Sequence, residues 1–140
     1  MIEVQEIHDN FLEGVYTIRE KVFVEEQNVS KEEEYDEFEL ASTHLLASID
    51  KKPVGTCRIR KTKSGVKLER FAVLKNYRKM GVGKALLKKC LEILQNESYI
   101  YLHAQVQVVD FYSSFGFEVF GNEFVEANIL HRSMHLKKTR

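Results

Sequence analysis

The apolar positions of the chain change period several times along its length, and each change marks an element. Ile2 and Val4 alternate with polar neighbours over residues 1–7, the two-residue period of a first, edge-type strand. Asn10 with Glu13 three residues later has the form of a capping box. Behind it Leu12, Val15, Tyr16, Val22 and Phe23 recur at helical spacing, which predicts a helix over 10–24. Residues 25–39 are acid-rich with weak periodicity and read as a loop with a short helix. Residues 44–49 and 54–61 read as two strands joined tightly through Asp50, Lys51, Lys52 and Pro53, and a turn at Ser64 and Gly65 leads into a third strand over 66–73. A basic loop over 74–80 precedes the clearest helix. There Val82, Leu86, Leu87, Cys90, Leu91 and Leu94 share one face, while Lys84, Lys88, Lys89 and Glu92 take the other. Residues 99–104 read as a strand, 108–114 as a short helix stopped by Gly116, and 117–120 and 131–136 as two last strands around a loop. The order β-α-β-β-β-α-β-α-β-β predicts one α/β domain with a mixed sheet over residues 1–140, undivided by any repeat, linker or low-complexity segment.

Composition narrows the class more than the function. A hydrophobic fraction of 44% and a charged fraction of 30% are those of a soluble globular protein. The 21 basic residues balance 21 acidic ones, so no overall field favours nucleic acid or an anionic membrane as partner. No apolar run has the length of a membrane span, and residues 2–8 are too short and acidic for a signal peptide, so a cytoplasmic protein is expected. Cys57 and Cys90 lie in apolar periodic segments without CxxC spacing, which predicts buried thiols rather than a disulfide or metal site. The histidines show no metal-ligand spacing either, and His103 reads as a hydrogen-bonded residue ending a central strand. Tyr99 and Tyr101 alternate with Ile100 and Leu102 and read as packing on a sheet face. The acids cluster: Glu32, Glu33, Glu34, Asp36, Glu37 and Glu39 form either a solvated face or a field that steers a cationic substrate.

The strongest chemical signal is the run Tyr77-Arg78-Lys79-Met80-Gly81-Val82-Gly83-Lys84, which follows a strand and opens the best helix. A helix start presents unpaired N–H groups and the positive end of a dipole, which suits a pyrophosphate. Gly81 and Gly83 let the backbone approach phosphate oxygens, and Arg78, Lys79 and Lys84 add positive charge. Two familiar phosphate loops fail on these residues. A P-loop needs Gly where Arg78 stands and Ser or Thr where Ala85 stands, and a dinucleotide fingerprint needs Gly where Leu86 stands.

What remains, Arg-x-x-Gly-x-Gly at a helix start, resembles the acyl-CoA pyrophosphate loop of the GNAT acetyltransferase superfamily. Three other segments carry the resemblance in the right order: Leu68-Glu69-Arg70-Phe71-Ala72-Val73 before the loop, Phe111-Tyr112-Ser113-Ser114-Phe115-Gly116-Phe117 after it, and flanking patterns at residues 19–27 and 127–131 like those of one bacterial branch. The resemblance implies a GNAT fold and transfer of an acetyl group from acetyl-CoA to an amine by direct attack, with no metal. It also implies roles. Arg78, Lys79, Met80, Gly81, Val82, Gly83 and Lys84 would hold the pyrophosphate, and the backbone of Phe71, Ala72 and Val73 would follow the pantetheine arm. Tyr112 would serve the CoA sulfur as general acid or hydrogen-bond partner, against the alternative of a core aromatic. Glu69 is the candidate base. On an alternating strand it shares a face with Lys67, Phe71 and Val73, and the alternative is a carboxylate paired with a nearby Lys or Arg. Arg19, Glu26, Arg70 and His131 are candidates for the acceptor site, and Gln105 or Gln107 stands in for the Asn that many relatives carry before the Phe-Tyr pair. A homodimer joined through the last strands is a further expectation. The rival reading is a non-catalytic acyl-CoA sensor or interaction module on the same scaffold.

Overall fold

The computed structural model describes residues 1–7 and 12–137. Its order is β1 (Ile2–Ile7), α1 (Glu13–Arg19), a π-helical segment (Glu20–Glu26), α2 (Lys31–Glu34), β2 (Thr43–Ile49), β3 (Lys52–Lys61), β4 (Val66–Val73), α3 (Val82–Ile93), β5 (Tyr99–Gln105), α4 (Val109–Ser113), β6 (Glu118–Glu126) and β7 (Ile129–Lys137). The proposed cap at Asn10 lies outside the described residues. The first helix changes hand-width rather than ending: Gln27 N–H bonds to the Val22 carbonyl at 3.1 Å, five residues back, so the chain widens to a π-helix and runs on to Glu26. The last two strands are longer than the sequence pattern suggests and meet through Ala127 and Asn128 alone, both at positive φ, the conformation of a tight hairpin turn.

Seven strands form one sheet in the order β1-β2-β3-β4-β5-β7-β6. Every neighbouring pair is antiparallel except β4 and β5, which α3 connects as a crossover. Alternate residues of β3 identify the two faces. Gly55 meets Val82 of α3 and Cys57 lies 3.5 Å from Cys90 of α3, whereas Arg58 points into the acids that surround α1. A Cβ at Gly55 would stand 2.6 Å from a Val82 methyl, so glycine here lets the start of α3 rest directly on the sheet. The two thiols are buried as expected.

The α1 face is held by charge as much as by apolar packing. Arg19 is fully buried; its guanidinium bonds Glu34 at 2.7 Å and both oxygens of Glu39 at 2.7 and 2.8 Å, between the rings of Tyr16 and Tyr35. Arg58, equally buried, bonds both oxygens of Asp36 at 2.8 and 2.9 Å, reaches Glu39 at 3.1 Å and pairs with Glu69. Arg60 and Lys67 add to Glu69 at 2.8 and 3.3 Å. The acidic run is therefore neither a solvated face nor a steering patch throughout. Glu34, Asp36 and Glu39 turn inward to neutralise two buried arginines, while Glu32, Glu33 and Glu37 stay exposed.

Removing one member of such a network leaves its partners charged and desolvated. Arg58→Ala is expected to cost about 3–5 kcal/mol in urea unfolding. Burial pushes the carboxyls of Asp36 and Glu69 upward, but hydrogen bonds and charge from the arginines prevail and hold both at about 2. Burial prevails at Glu34, whose pKa is raised, so it opposes the other two. For groups whose folded pKa is depressed, the stabilisation is complete above the unfolded value near 4 and is lost as pH falls toward 2. Unfolding free energy measured from pH 6 down to 2 should accordingly decline over the acidic end, and less steeply in Arg58→Ala.

Candidate functional site

β4 and β5 pair only through Val66, Lys67 and Leu68 with Ile100, Tyr101 and Leu102, and then part. Beyond the fork β4 keeps its bonds to β3 on one side, and β5 keeps its ladder to β7 as far as Gln105 opposite His131. The inner edges of residues 70–73 and 103–105 are left facing each other without a strand between them. Main-chain donors and acceptors along such an edge need partners, and an extended ligand can supply them.

A bulge sharpens the fork. Arg70 has φ +58°, and the β3 register slips between Thr56 and Arg58 to absorb one extra residue. Downstream side chains change face in consequence. Glu69 and Lys67 lie with Arg58 and Arg60 on the α1 face, while Phe71 joins the α3-side core and meets the Tyr112 ring edge-on at 5.7 Å. The shared face expected for Lys67, Glu69, Phe71 and Val73 is corrected by this single inserted residue.

At the α3 end of the fork stands the basic glycine loop. Gly81 caps α3 at φ +89°, a backbone that L side chains rarely adopt, and the first helical bond runs from Ala85 N–H to Gly81 C=O at 2.9 Å. The amides of Val82, Gly83 and Lys84 therefore have no partner within the helix. Lys79, Met80 and Lys84 are exposed around them. Arg78 is engaged: both terminal nitrogens bond Glu26 at 2.6 and 2.7 Å, and its Nε donates to the Val73 carbonyl at 2.9 Å. Glu26, at the end of the π-helix, is thus a partner of the loop, and an anion at Arg78 would have to take its place.

Tyr112 fills the α3 side of the fork. It is 6% exposed, with its ring edge-on to Phe71, Phe111 and Phe117 at 5.7, 5.0 and 6.2 Å. Burial, with the Cys57 and Cys90 thiols nearby, raises its pKa, so the hydroxyl stays protonated.

The α1 side of the fork is roofed. Ala127 and Ile129, at the β6–β7 turn, pack against the cluster of Ile18, Val22, Phe23, Val29 and Ala72 and so bridge from one arm of the sheet to the other. Gln27 and Gln105 join the same two arms by reciprocal amide bonds of 3.0 and 3.3 Å, and Gln107 adds a bond of 2.6 Å to Gln105. Below lie His103 and Glu126, 3.3 Å apart, and His131, whose Nδ1 is 2.6 Å from the Ile129 carbonyl.

The proposed acceptor residues fare differently. His131 lies in this roofed space beside Phe124, their rings stacked at 5.7 Å. Arg70 is drawn away to the backbone of Glu34 at 3.0 Å and to Asp36 at 3.3 Å. Arg19 is corrected outright: with no exposed surface and its donors taken by Glu34 and Glu39, it cannot touch a substrate. Glu69 takes up a proton poorly while three cations hold it at about 2, which favours the ion-pair reading over that of a base. Glu126 and Gln27 were not singled out from the sequence. Glu126 reaches the site only because β6 runs on to the two-residue turn, and Asn128 in that turn was the one local signal of it.

Comparison with known proteins agrees with this geometry. The family model described as the acetyltransferase (GNAT) domain matches residues 8–138. The chain is 42% identical over 127 residues to the uncharacterized N-acetyltransferase YjcF of Bacillus subtilis, covering 88% of this chain and 90% of that one. Among solved structures it resembles Escherichia coli ElaA with a TM-score of 0.85 and 30% identity over 96% and 99% of the two chains. It shares the fold of Arabidopsis thaliana Naa50, solved with the bisubstrate analogue CoA-Ac-MVNAL, at a TM-score of 0.76 and 23% identity over 98% and 99%. Among the described residues no cluster of ligating side chains suits a metal ion, and no helix is long and apolar enough to cross a membrane. With a forked mixed sheet, a basic glycine loop at the head of α3 and a family match over nearly its whole length, this chain belongs to the GNAT acetyltransferase family.

Proposed function

We propose that the protein transfers the acetyl group of acetyl-CoA to a primary amine in a ternary complex. The observation that carries this reading is the fork itself: an unpaired β4 edge leads from the head of α3 to Tyr112, and on the opposite face His103, Glu126 and His131 gather beside the β6–β7 turn. Two substrates entering from opposite faces would meet at the bulge.

In this reading the free amides of Val82, Gly83 and Lys84, with Lys79 and Arg78, receive the pyrophosphate, and Arg78 exchanges Glu26 for phosphate. The pantetheine arm lies along Phe71, Ala72 and Val73, bonded to main-chain groups that β5 leaves free. The amine attacks the thioester carbonyl, the carbon–sulfur bond breaks, and the sulfur departs beside Tyr112. A tyrosine whose pKa is raised well above that of a thiol, near 8.5, gives up its proton to a thiolate only uphill. Tyr112 therefore acts as a hydrogen-bond donor to the leaving sulfur, and the thiolate is protonated from solvent.

Three measurements test this. A free-thiol assay on a panel of primary amines should show amine-dependent CoA release, whereas binding without release across the panel would favour a sensor. Gly81→Asp should weaken acetyl-CoA binding by at least about a hundredfold in calorimetry, through negative charge at the pyrophosphate. Gly81→Asn, alike in size and better tolerated at positive φ, should lose much less, and equal losses would trace the effect to backbone strain. Tyr112→Phe should leave acetyl-CoA affinity unchanged and slow turnover about tenfold to a hundredfold, the worth of one hydrogen bond to a charged group.

A further inference from the structure

Acetyl transfer at the fork, the reading this inference rests on, requires that an ammonium lose a proton before it can attack. Glu69 is ill suited to receive it, being neutralised by Arg58, Arg60 and Lys67. His103 is better placed for that role. Leu102 is the last β5 residue paired with β4, and Ile100, Leu102 and Ala104 point into the α3-side core. His103 is therefore the first residue past the fork on the opposite face, under the roof made by the β6–β7 turn. Its side chain is 30% exposed, so a substrate can reach it.

The contacts of His103 set its protonation pattern. Its Nδ1 lies 3.3 Å from Oε1 of Glu126. The hydrogen bond from His103, together with the charges of Lys67 and His131, lowers the Glu126 pKa, so Glu126 is a carboxylate and can only accept. Nδ1 must then carry the hydrogen, which leaves the lone pair on Nε2. Phe124 packs edge-on against the imidazole at 5.0 Å and Tyr101 lies 6.4 Å away, fixing the plane of the ring. The groups that face it are Glu126 from β6, His131 from β7, and Lys67 and Glu69 from β4, with Tyr101 on its own strand.

We propose that His103 is the proton acceptor for the amine, and that Glu126 is the positioning residue that fixes its tautomer. An ammonium entering under the β6–β7 turn gives one proton to Nε2 of His103 and becomes a nucleophile. Its nitrogen bonds to the thioester carbon, the carbon–sulfur bond breaks, and a second N–H proton passes to solvent as the amide forms. The thiolate leaves beside Tyr112, and the imidazolium returns its proton to solvent. From ammonium and acetyl-CoA the products are the acetamide, CoA thiol and one proton.

The test uses the full chain, acetyl-CoA and methylamine as acceptor, a small primary amine that stays an ammonium across the range, and follows CoA release from pH 5.5 to 9. His103→Gln should bind acetyl-CoA as the wild type does in calorimetry and lose about a hundredfold or more in kcat at neutral pH. The acidic limb of its kcat/KM profile should disappear. Glu126→Gln removes a charge that favours the imidazolium, so its limb should move to lower pH while turnover falls about tenfold. His131→Gln should keep the limb. A His103→Gln enzyme that turns over within twofold of wild type, or that retains the acidic limb, would overturn the proposal, as would an unmoved limb in Glu126→Gln. If His103→Gln does not fold, the direction of the Glu126→Gln shift decides. Wild-type protein that binds no acetyl-CoA, or binds it and releases no CoA with any amine of the panel above, refutes the acetyl-transfer reading itself, an outcome distinct from a selective defect at His103.

Discussion

The parallel pairing of β4 and β5 lasts for three residue pairs, and most of what the molecule offers a ligand follows from where it stops. A parallel sheet that stayed closed would satisfy its backbone internally and present nothing. Here β5 follows β7 away while β4 stays with β3, so two polar edges diverge from Leu68 and Leu102. The inserted residue Arg70 bends β4 at that point and reassigns the side chains beyond it, so that Phe71 turns to the Tyr112 side while Glu69, before it, stays on the α1 side. One fork thereby acquires two chemically different faces, one aromatic and backed by buried thiols, the other lined by imidazoles and carboxylates.

Holding a fork open is costly unless each arm is braced. On the N-terminal arm the brace is ionic. Arg19 and Arg58 are buried and would be untenable alone, and the acids at 34, 36, 39 and 69 converge on them from α2, the following loop and β4. On the C-terminal arm the brace is the long β6–β7 hairpin, whose turn reaches back to Val22, Phe23 and Val29. The two braces meet over the α1 face, where Gln27 and Gln105 clasp each other. A charge network this enclosed also explains why Glu69, which stands beside the fork, is fixed in an ion pair, and why the less encumbered His103 is better placed to exchange protons.

Much of this was legible in the sequence wherever structure is local and periodic. The apolar stripe of α3, the strand at 66–73 and the glycine pair at 81 and 83 stand where their patterns put them, because each is decided by residues a few positions apart. The bulge was not legible, since a single inserted residue leaves the strand pattern intact and shifts only the faces after it. The fate of the acidic run was hidden for a different reason: its partners Arg19 and Arg58 are 15 to 22 residues away, and nothing local distinguishes an inward glutamate from a solvated one. Glu126 and His103 are brought together by the register of β5, β7 and β6, which depends on a turn whose first residue, Ala127, gives no turn signal.

The loop from Arg78 to Lys84 and the open β4 edge are proposed to receive acetyl-CoA. Calorimetric titration of the wild-type protein with acetyl-CoA, with CoA and ATP as comparisons, tests it most directly. Saturable one-to-one binding of acetyl-CoA and CoA is expected, weakened by added salt and much stronger than that of ATP, which lacks the pantetheine arm that the β4 edge would bind. Absence of acetyl-CoA binding, or binding of ATP with equal strength, would contradict it.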